Sequence, residues 1–225
     1  MGYPRGEDLP DSDGVPLDSD VVVDQTRLYL IDPLRSHFQA TGTRAFVSGD
    51  SFVYYDPNQP AIGPDFYVIL GAAWRSQKKW VAYEEGGLLP TTVIEFLSPS
   101  TEENDRGRKF CIYRDTFRTR EYFLIDQDTL FIEGYRLHKG HYVAMSPRSD
   151  GWYDIPSLGL QLGPLEGWIR LRTPAGSLLL TGRELAEQER LRAEQERLRA
   201  EQERRRREVL EARLRELGID PESLS

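Results

Sequence analysis

Cysteine and histidine are scarce in this 225-residue chain: one cysteine, Cys111, and three histidines. A single thiol excludes an internal disulfide framework and a cysteine-cluster zinc site, and Cys111 reads as a helix or core residue. His37, His138 and His141 have no metal-ligand spacing and fall near the ends of expected elements, so surface roles are expected for them. No apolar run approaches the ~20 residues that span a bilayer. No basic-then-apolar signal opens the sequence. The expectation is a soluble, cytoplasmic protein with no membrane segment. Also missing are a G-x-G-x-x-G run, a phosphate loop and a serine-nucleophile motif. Basic residues are in deficit, 29 against 37 acidic ones, for a formal net charge of −8. That balance argues against broad, nonspecific affinity for DNA, which rests on Lys and Arg neutralising phosphates. A metal and a local basic patch can still act within an acidic protein.

What is present is enough for one ordinary domain and an appendage. Hydrophobic residues make up 39% of the chain and aromatics 11%, which suffices for a core. Residues 1–20 are rich in Pro, Gly and Asp and read as a flexible N-terminal segment. A globular domain is expected over 21–182, a charged heptad-repeat helix over 183–217 and a tail over 218–225. Asp32-Pro33 is placed to start a short helix, with Asp32 as N-cap, that Gly42 ends. Arg44–Val47 and Ser51–Tyr55 read as two strands joined by a hairpin turn at Gly49-Asp50. Trp74–Leu89 reads as a loop. Thr91–Leu97, almost wholly apolar or β-branched, suits a central strand covered on both faces. A Ser98–Thr101 cap cluster precedes a helix over 103–117, with Phe110, Tyr113, Arg114 and Phe117 at helical spacing. Strands are expected at Glu121–Asp126 and Leu130–Leu137. A β-rich stretch follows: Tyr142–Met145, Leu158–Leu162, Trp168–Arg172 and Ser177–Thr181.

From Leu185 the composition changes. Ala-Glu-Gln-Glu-Arg-Leu-Arg occurs at Ala186–Arg192 and again at Ala193–Arg199, and a third copy begins at Ala200. A period of seven means a long helix. With Leu191 and Leu198 at d, the a positions fall to Gln188, Gln195 and Gln202, a weak seam. Pairs such as Glu187–Arg190 and Glu194–Arg197 add a few tenths of a kcal/mol each, about 0.2–0.5. Leu210, Leu214 and Leu217 keep helical spacing but stand out of register with Leu191. A solvated single helix, a coiled coil or partner helix over 185–217, and nucleic-acid contact through Arg204–Arg207 all remain open readings.

Two acids stand out. Asp65, after Pro64, opens the run Phe66-Tyr67-Val68-Ile69-Leu70, and Glu95 lies inside Val93-Ile94-Glu95-Phe96-Leu97. An ionised carboxylate in apolar surroundings costs several kcal/mol unless cations or hydrogen bonds compensate. Two such acids on adjacent strands suit a divalent metal, and Lys109 can bring a positive charge to the same place. Lys78 and Lys79 are lesser candidates for that charge. Asp105 and Tyr113 are placed either to support such a site or to serve as a helix-cap acid and a core aromatic.

Helix, strands, a Pro-Asp strand, a Glu strand, a helix with Lys and another strand form an α/β order. Over roughly residues 25–172, Pro64-Asp65, the run Val93–Thr101, Asp105, Lys109, Tyr113, the run Glu121–Asp126 and the run Ser48–Asp56 resemble the Uma-two family of restriction endonucleases of the PD-(D/E)xK superfamily. The resemblance implies a restriction-endonuclease-like mixed sheet core with flanking helices, to which the sequence itself adds extra β-strands and the long C-terminal helix. It implies Asp65 and Glu95 as ligands of Mg²⁺, or of Mn²⁺, and DNA as substrate, with Lys109 orienting water or stabilising charge. Superfamily members often dimerise, and the heptads permit a homodimer. The chain departs from the superfamily signature at Leu97, where the lysine normally stands, and in the Uma-two pattern that residue moves to the following helix. The alternative is a nuclease-like binding or regulatory domain joined to a C-terminal interaction helix.

Overall fold

In a computed structural model, residues 3–10, 20–49 and 51–216 are described. The expectations for most of residues 1–20, for Asp50 and for the tail 218–225 lie outside them. Contacts divide the chain into two compact units, Met1–Thr181 and Gly182–Ser225.

The first unit is built on a mixed six-stranded sheet. Its strands are β1 (Ala45–Ser48), β3 (Phe66–Leu70), β5 (Thr92–Leu97), β6 (Glu121–Asp126), β7 (Ile132–His138) and β8 (His141–Ala144), in the order β1-β3-β5-β6-β7-β8. β5 and β6 are parallel and the other neighbours antiparallel. A parallel pair needs a crossover, supplied here by a helix over Glu102–Phe117 that includes wide π-type turns at Asp105–Lys109 and Tyr113–Phe117.

All six residues of β5 are buried, as expected of a strand covered on both faces. The period-two alternation of a strand divides them. Ile94 and Phe96 join Val47, Phe66, Val68 and Phe123 in one apolar layer. That layer is closed by the N-terminal helix and by a small antiparallel sheet of β9 (Tyr153–Ile155), β10 (Leu160–Leu165) and β11 (Trp168–Arg172). Gln25 ties that helix to β11: its amide donates to the Ile169 carbonyl (2.8 Å) and accepts from the Ile169 N–H (2.7 Å). Val93 and Leu97 face the opposite layer with Phe46, Tyr67, Tyr113, Phe117 and Tyr122, so Glu95 points toward the crossover helix.

Several local expectations are corrected by long-range pairing. Asp32 does not cap a helix start. The helix is already running through Asp20–Asp24 and a wide turn at Gln25–Ile31, and Asp32 itself is helical. Pro33, which has no N–H, follows directly after that wide turn, at the start of the regular α-helical stretch. Gly42 does end it, at φ +68°. β1 and β2 (Val53–Tyr54) form no hairpin. β1 pairs with β3, and β2 pairs in parallel with β4 (Trp80–Val81), inside the stretch expected to be a loop. Ser177–Thr181 makes only an isolated bridge, Arg172 to Leu178.

The second unit is a helix over Gly182–Glu216. Leu191 and Leu198 are 46% and 47% exposed. Glu187–Arg190 (2.7 Å), Glu201–Arg205 (2.7 Å) and Arg207–Glu211 (3.1 Å) pair along its surface. Among the described residues no helix is long and apolar enough to cross a membrane.

Candidate active site

Pro64 has no N–H to give to a ladder, and β3 begins only two residues later. The register Phe66↔Ile94 and Tyr67↔Val93 extends to set Asp65 opposite Glu95, on the same face. The ladder groups freed at this point are taken by the two acids. Asp65 Oδ2 accepts from the Phe96 N–H (2.7 Å), and the Asp65 N–H donates to Glu95 Oε2 (3.1 Å). Asp65 is half-buried, whereas Glu95 is sealed at 0% exposure.

The crossover helix completes the cluster. Asp105, Lys109 and Tyr113 recur at intervals of four along its inner face, a spacing that wide turns keep in line. The Lys109 ammonium lies 3.1 Å from Glu95 Oε2 and 2.9 Å from Asp105 Oδ1. The Tyr113 hydroxyl donates to Glu95 Oε1 (2.6 Å). Tyr122, stacked edge-on with Tyr113, donates to the Asp105 carbonyl (3.1 Å) and holds that turn in place. Arg106 grips β7 through a two-pronged contact with Glu133 (2.5 and 3.0 Å), which fixes the start of the helix. The Ser98–Thr101 cluster forms a turn in which the Glu102 N–H donates to the Ser98 carbonyl (3.0 Å).

Electrostatics follow from this burial. Desolvation pushes the Glu95 carboxyl up to about 8, with Lys109 opposing the rise and Asp65 and Asp105 adding to it. Desolvation likewise lifts Asp65 to about 6, and Lys109 and the Phe96 N–H pull it back. Burial works against the Lys109 charge, but Glu95, Asp105 and Asp65 together hold its pKa above the usual lysine value. Tyr113 is raised well above the ordinary phenol range, mainly by burial, and so remains a donor.

The structure therefore brings Asp65, Glu95 and Lys109 together, with Asp105 and Tyr113 beside them. Lys79 is elsewhere, donating to the Leu9 carbonyl, and Lys78 is exposed. His138 and His141 are exposed at the β7–β8 turn, and Cys111 is exposed on the crossover helix. Sequence reasoning misread one residue here. Gly49, taken for a hairpin turn, abuts the site: a Cβ there would meet the Asp65 carbonyl at 2.3 Å. The only signal for it was its place within Ser48–Asp56, one of the stretches that carry the family resemblance.

The donor set suits a hard cation. Three carboxylates, Asp65, Glu95 and Asp105, face one ammonium, and Asp105 Oδ2 is buried without a hydrogen-bond partner. Among the described residues no three His, Cys, Asp or Glu side chains form a cage by themselves. An ion here would complete its shell with water, as Mg²⁺ habitually does.

The mixed six-stranded sheet with flanking helices that carries Asp65, Glu95 and Lys109 is a restriction-endonuclease-like fold. The chain belongs to the Uma2 family: the family model described as "Putative restriction endonuclease" matches residues 23–165. A solved chain from Anabaena variabilis, described as a putative nuclease belonging to DUF820, is 14% identical with a TM-score of 0.46, covering 64% of this chain and 76% of that one. The uncharacterized protein slr1290 of Synechocystis sp. is 29% identical over 98 residues, 43% of this chain. The match spans about half the length of that relative, 48%.

Proposed function

We propose that this chain is a Mg²⁺-dependent endonuclease that hydrolyses DNA phosphodiester bonds. The observation that carries the reading is the convergence of Glu95 with Asp65 and with the Lys109 ammonium, 3.1 Å away, on one face of the sheet. Asp65 and Glu95 would hold the ion. When bound, Mg²⁺ supplies a water of lowered pKa and neutralises charge on the scissile phosphate. Tyr113 fixes the Glu95 carboxylate by donating to Oε1, leaving Oε2 toward Asp65 and Lys109. Lys109 carries a proton and a positive charge into a water-poor site, where a preset cation stabilises charge that develops on phosphate oxygens. It does from the helix what the superfamily lysine does two residues after the acid, where this chain has the buried Leu97. The decisive assay incubates the purified chain with plasmid and oligonucleotide DNA, with and without Mg²⁺ or Mn²⁺, alongside Asp65→Asn and Glu95→Gln. Equal cleavage by the variants would end the assignment.

One observation favours a second reading, a nuclease-like domain that binds but does not cut. Both Glu95 oxygens are already engaged by protein donors. Calorimetric titration with Mg²⁺ separates the two: a pure binding module has no metal site that Glu95→Gln removes.

A further inference from the structure

Two adjoining cavities, of about 350 and 640 Å³, run along the N-terminal helix and share Asp32 and Arg35. The first is bounded by Arg27, Ser48 and Gly49, and Gly49 packs closely against the Asp65 carbonyl. The second is bounded by Arg44 and Trp74. The groove therefore passes the Asp65 backbone on the side of the sheet that carries the N-terminal helix, while the Asp65 and Glu95 carboxyls face the crossover helix, and it runs on past the end of β1.

Its lining carries three guanidinium groups, Arg27, Arg35 and Arg44, against one carboxylate, Asp32. Arg27 and Arg44 are exposed, and among the described residues no carboxylate lies within ion-pair distance of either. Arg35 is anchored by donating through Nε and Nη2 to the Val47 carbonyl (3.2 and 2.7 Å), and its guanidinium lies 5.5 Å from the centre of the Trp74 ring. Trp74 is 54% exposed, whereas Trp80 and Trp152 are buried. Guanidinium groups spaced along a groove bind phosphates, and an open indole beside an arginine is a stacking platform for a base.

We infer that this groove binds a single-stranded segment of the nucleic acid substrate, with phosphates on Arg27 and Arg44 and one unpaired base stacked on Trp74. The inference rests on the nuclease reading and adds to it the surface that receives the substrate and the form of substrate it takes. A duplex keeps its bases stacked on one another and offers Trp74 nothing to receive.

The test uses the full chain in EDTA, so that binding is read without cleavage. A labelled single-stranded oligo-dT and a duplex of the same length are titrated by anisotropy, and tryptophan emission is followed in parallel. Tighter binding of the single strand with quenched emission is expected. Trp74→Ala should weaken binding about tenfold and abolish the quenching. Arg27→Ala with Arg44→Ala should lower the slope of log affinity on log salt by about 1.4, the value for two lost phosphate contacts on a single strand. Both positions are exposed, so melting temperatures should not move. Wild-type affinity in these variants, quenching that survives Trp74→Ala, or a duplex bound as tightly as the single strand would overturn the groove. Binding that depends on the groove without any Mg²⁺-dependent cleavage would sink the catalytic reading alone. Cleavage with unimpaired groove variants would sink the groove alone.

Discussion

Asp65 and Glu95 are laced together through the backbone as well as through their charges. The Asp65 N–H donates to the Glu95 carboxylate at 3.1 Å, and the Asp65 carboxylate accepts from the amide directly after Glu95 at 2.7 Å. Each acid thus positions the other. Glu95→Gln keeps the volume but removes the charge, so the fold should survive while Mg²⁺ binding and cleavage fall by about 100-fold or more, the loss typical of one electrostatic catalytic group. Calorimetry and a nicking assay read the two effects separately. A variant that still binds Mg²⁺ with wild-type affinity would remove Glu95 from the ion's shell.

The raised acids make stability depend on pH in a definite direction. In the folded state Asp65 lies at about 6 and Glu95 at about 8, both above the roughly 4 of unfolded carboxyls. The folded state therefore binds more protons, so this contribution is fully present below about pH 4 and is lost as pH rises through 6 and 8. Without metal, the melting temperature should decline from about pH 5 to pH 9, and Glu95→Gln should flatten the upper part of that decline. A melting temperature that climbs across this window would contradict the assignment.

Metal binding should show the same protons from the other side. An ion held by Asp65 and Glu95 must displace the proton that burial places on Glu95, so Mg²⁺ affinity should rise between about pH 6 and pH 8. Calorimetry in buffers of different ionisation enthalpy should register proton release near pH 7.

Lys109 balances Glu95 and Asp105 at once. Lys109→Met should abolish cleavage and destabilise the domain by about 3 kcal/mol, the lower end for breaking a buried pair, because Glu95 can take up a proton in response. Denaturant unfolding at pH 6 and pH 8 would check this, with the larger loss at pH 8. Equal loss at both would mean that the lysine stabilises by packing alone.

Gly49→Ala puts a methyl 2.3 Å from the Asp65 carbonyl, which is backbone and cannot swing aside. Overpacking of this kind costs about 1–3 kcal/mol. The larger effect should be on cleavage, since the shift displaces Asp65. Gly71→Ala, with φ +86° and nothing within 4 Å, is a useful control for backbone strain remote from the acids.

Much was legible in the chain by itself because it is local. A nearly unbroken apolar and β-branched run identified Thr91–Leu97 as a central strand, observed at Thr92–Leu97, and made Glu95 conspicuous within it. Asp65 followed Pro64 at the head of an apolar run, helical spacing of Phe110, Tyr113, Arg114 and Phe117 marked the helix that also holds Lys109, and the sevenfold repeat marked a long helix over 183–217, observed over Gly182–Glu216. Only the tertiary structure chose partners. It joined β1 to β3 rather than to β2, carried the helix upstream through Pro33, and turned Gly49 from a presumed turn residue into a wall against Asp65. It also decided that Lys109, rather than Lys78 or Lys79, meets Glu95. Propensity and periodicity act over a few residues and can be read along the chain. Which strand edge, ammonium or backbone wall comes to a buried acid depends on the shared free energy of segments far apart in sequence, and that is set only when the whole sheet closes on its helices.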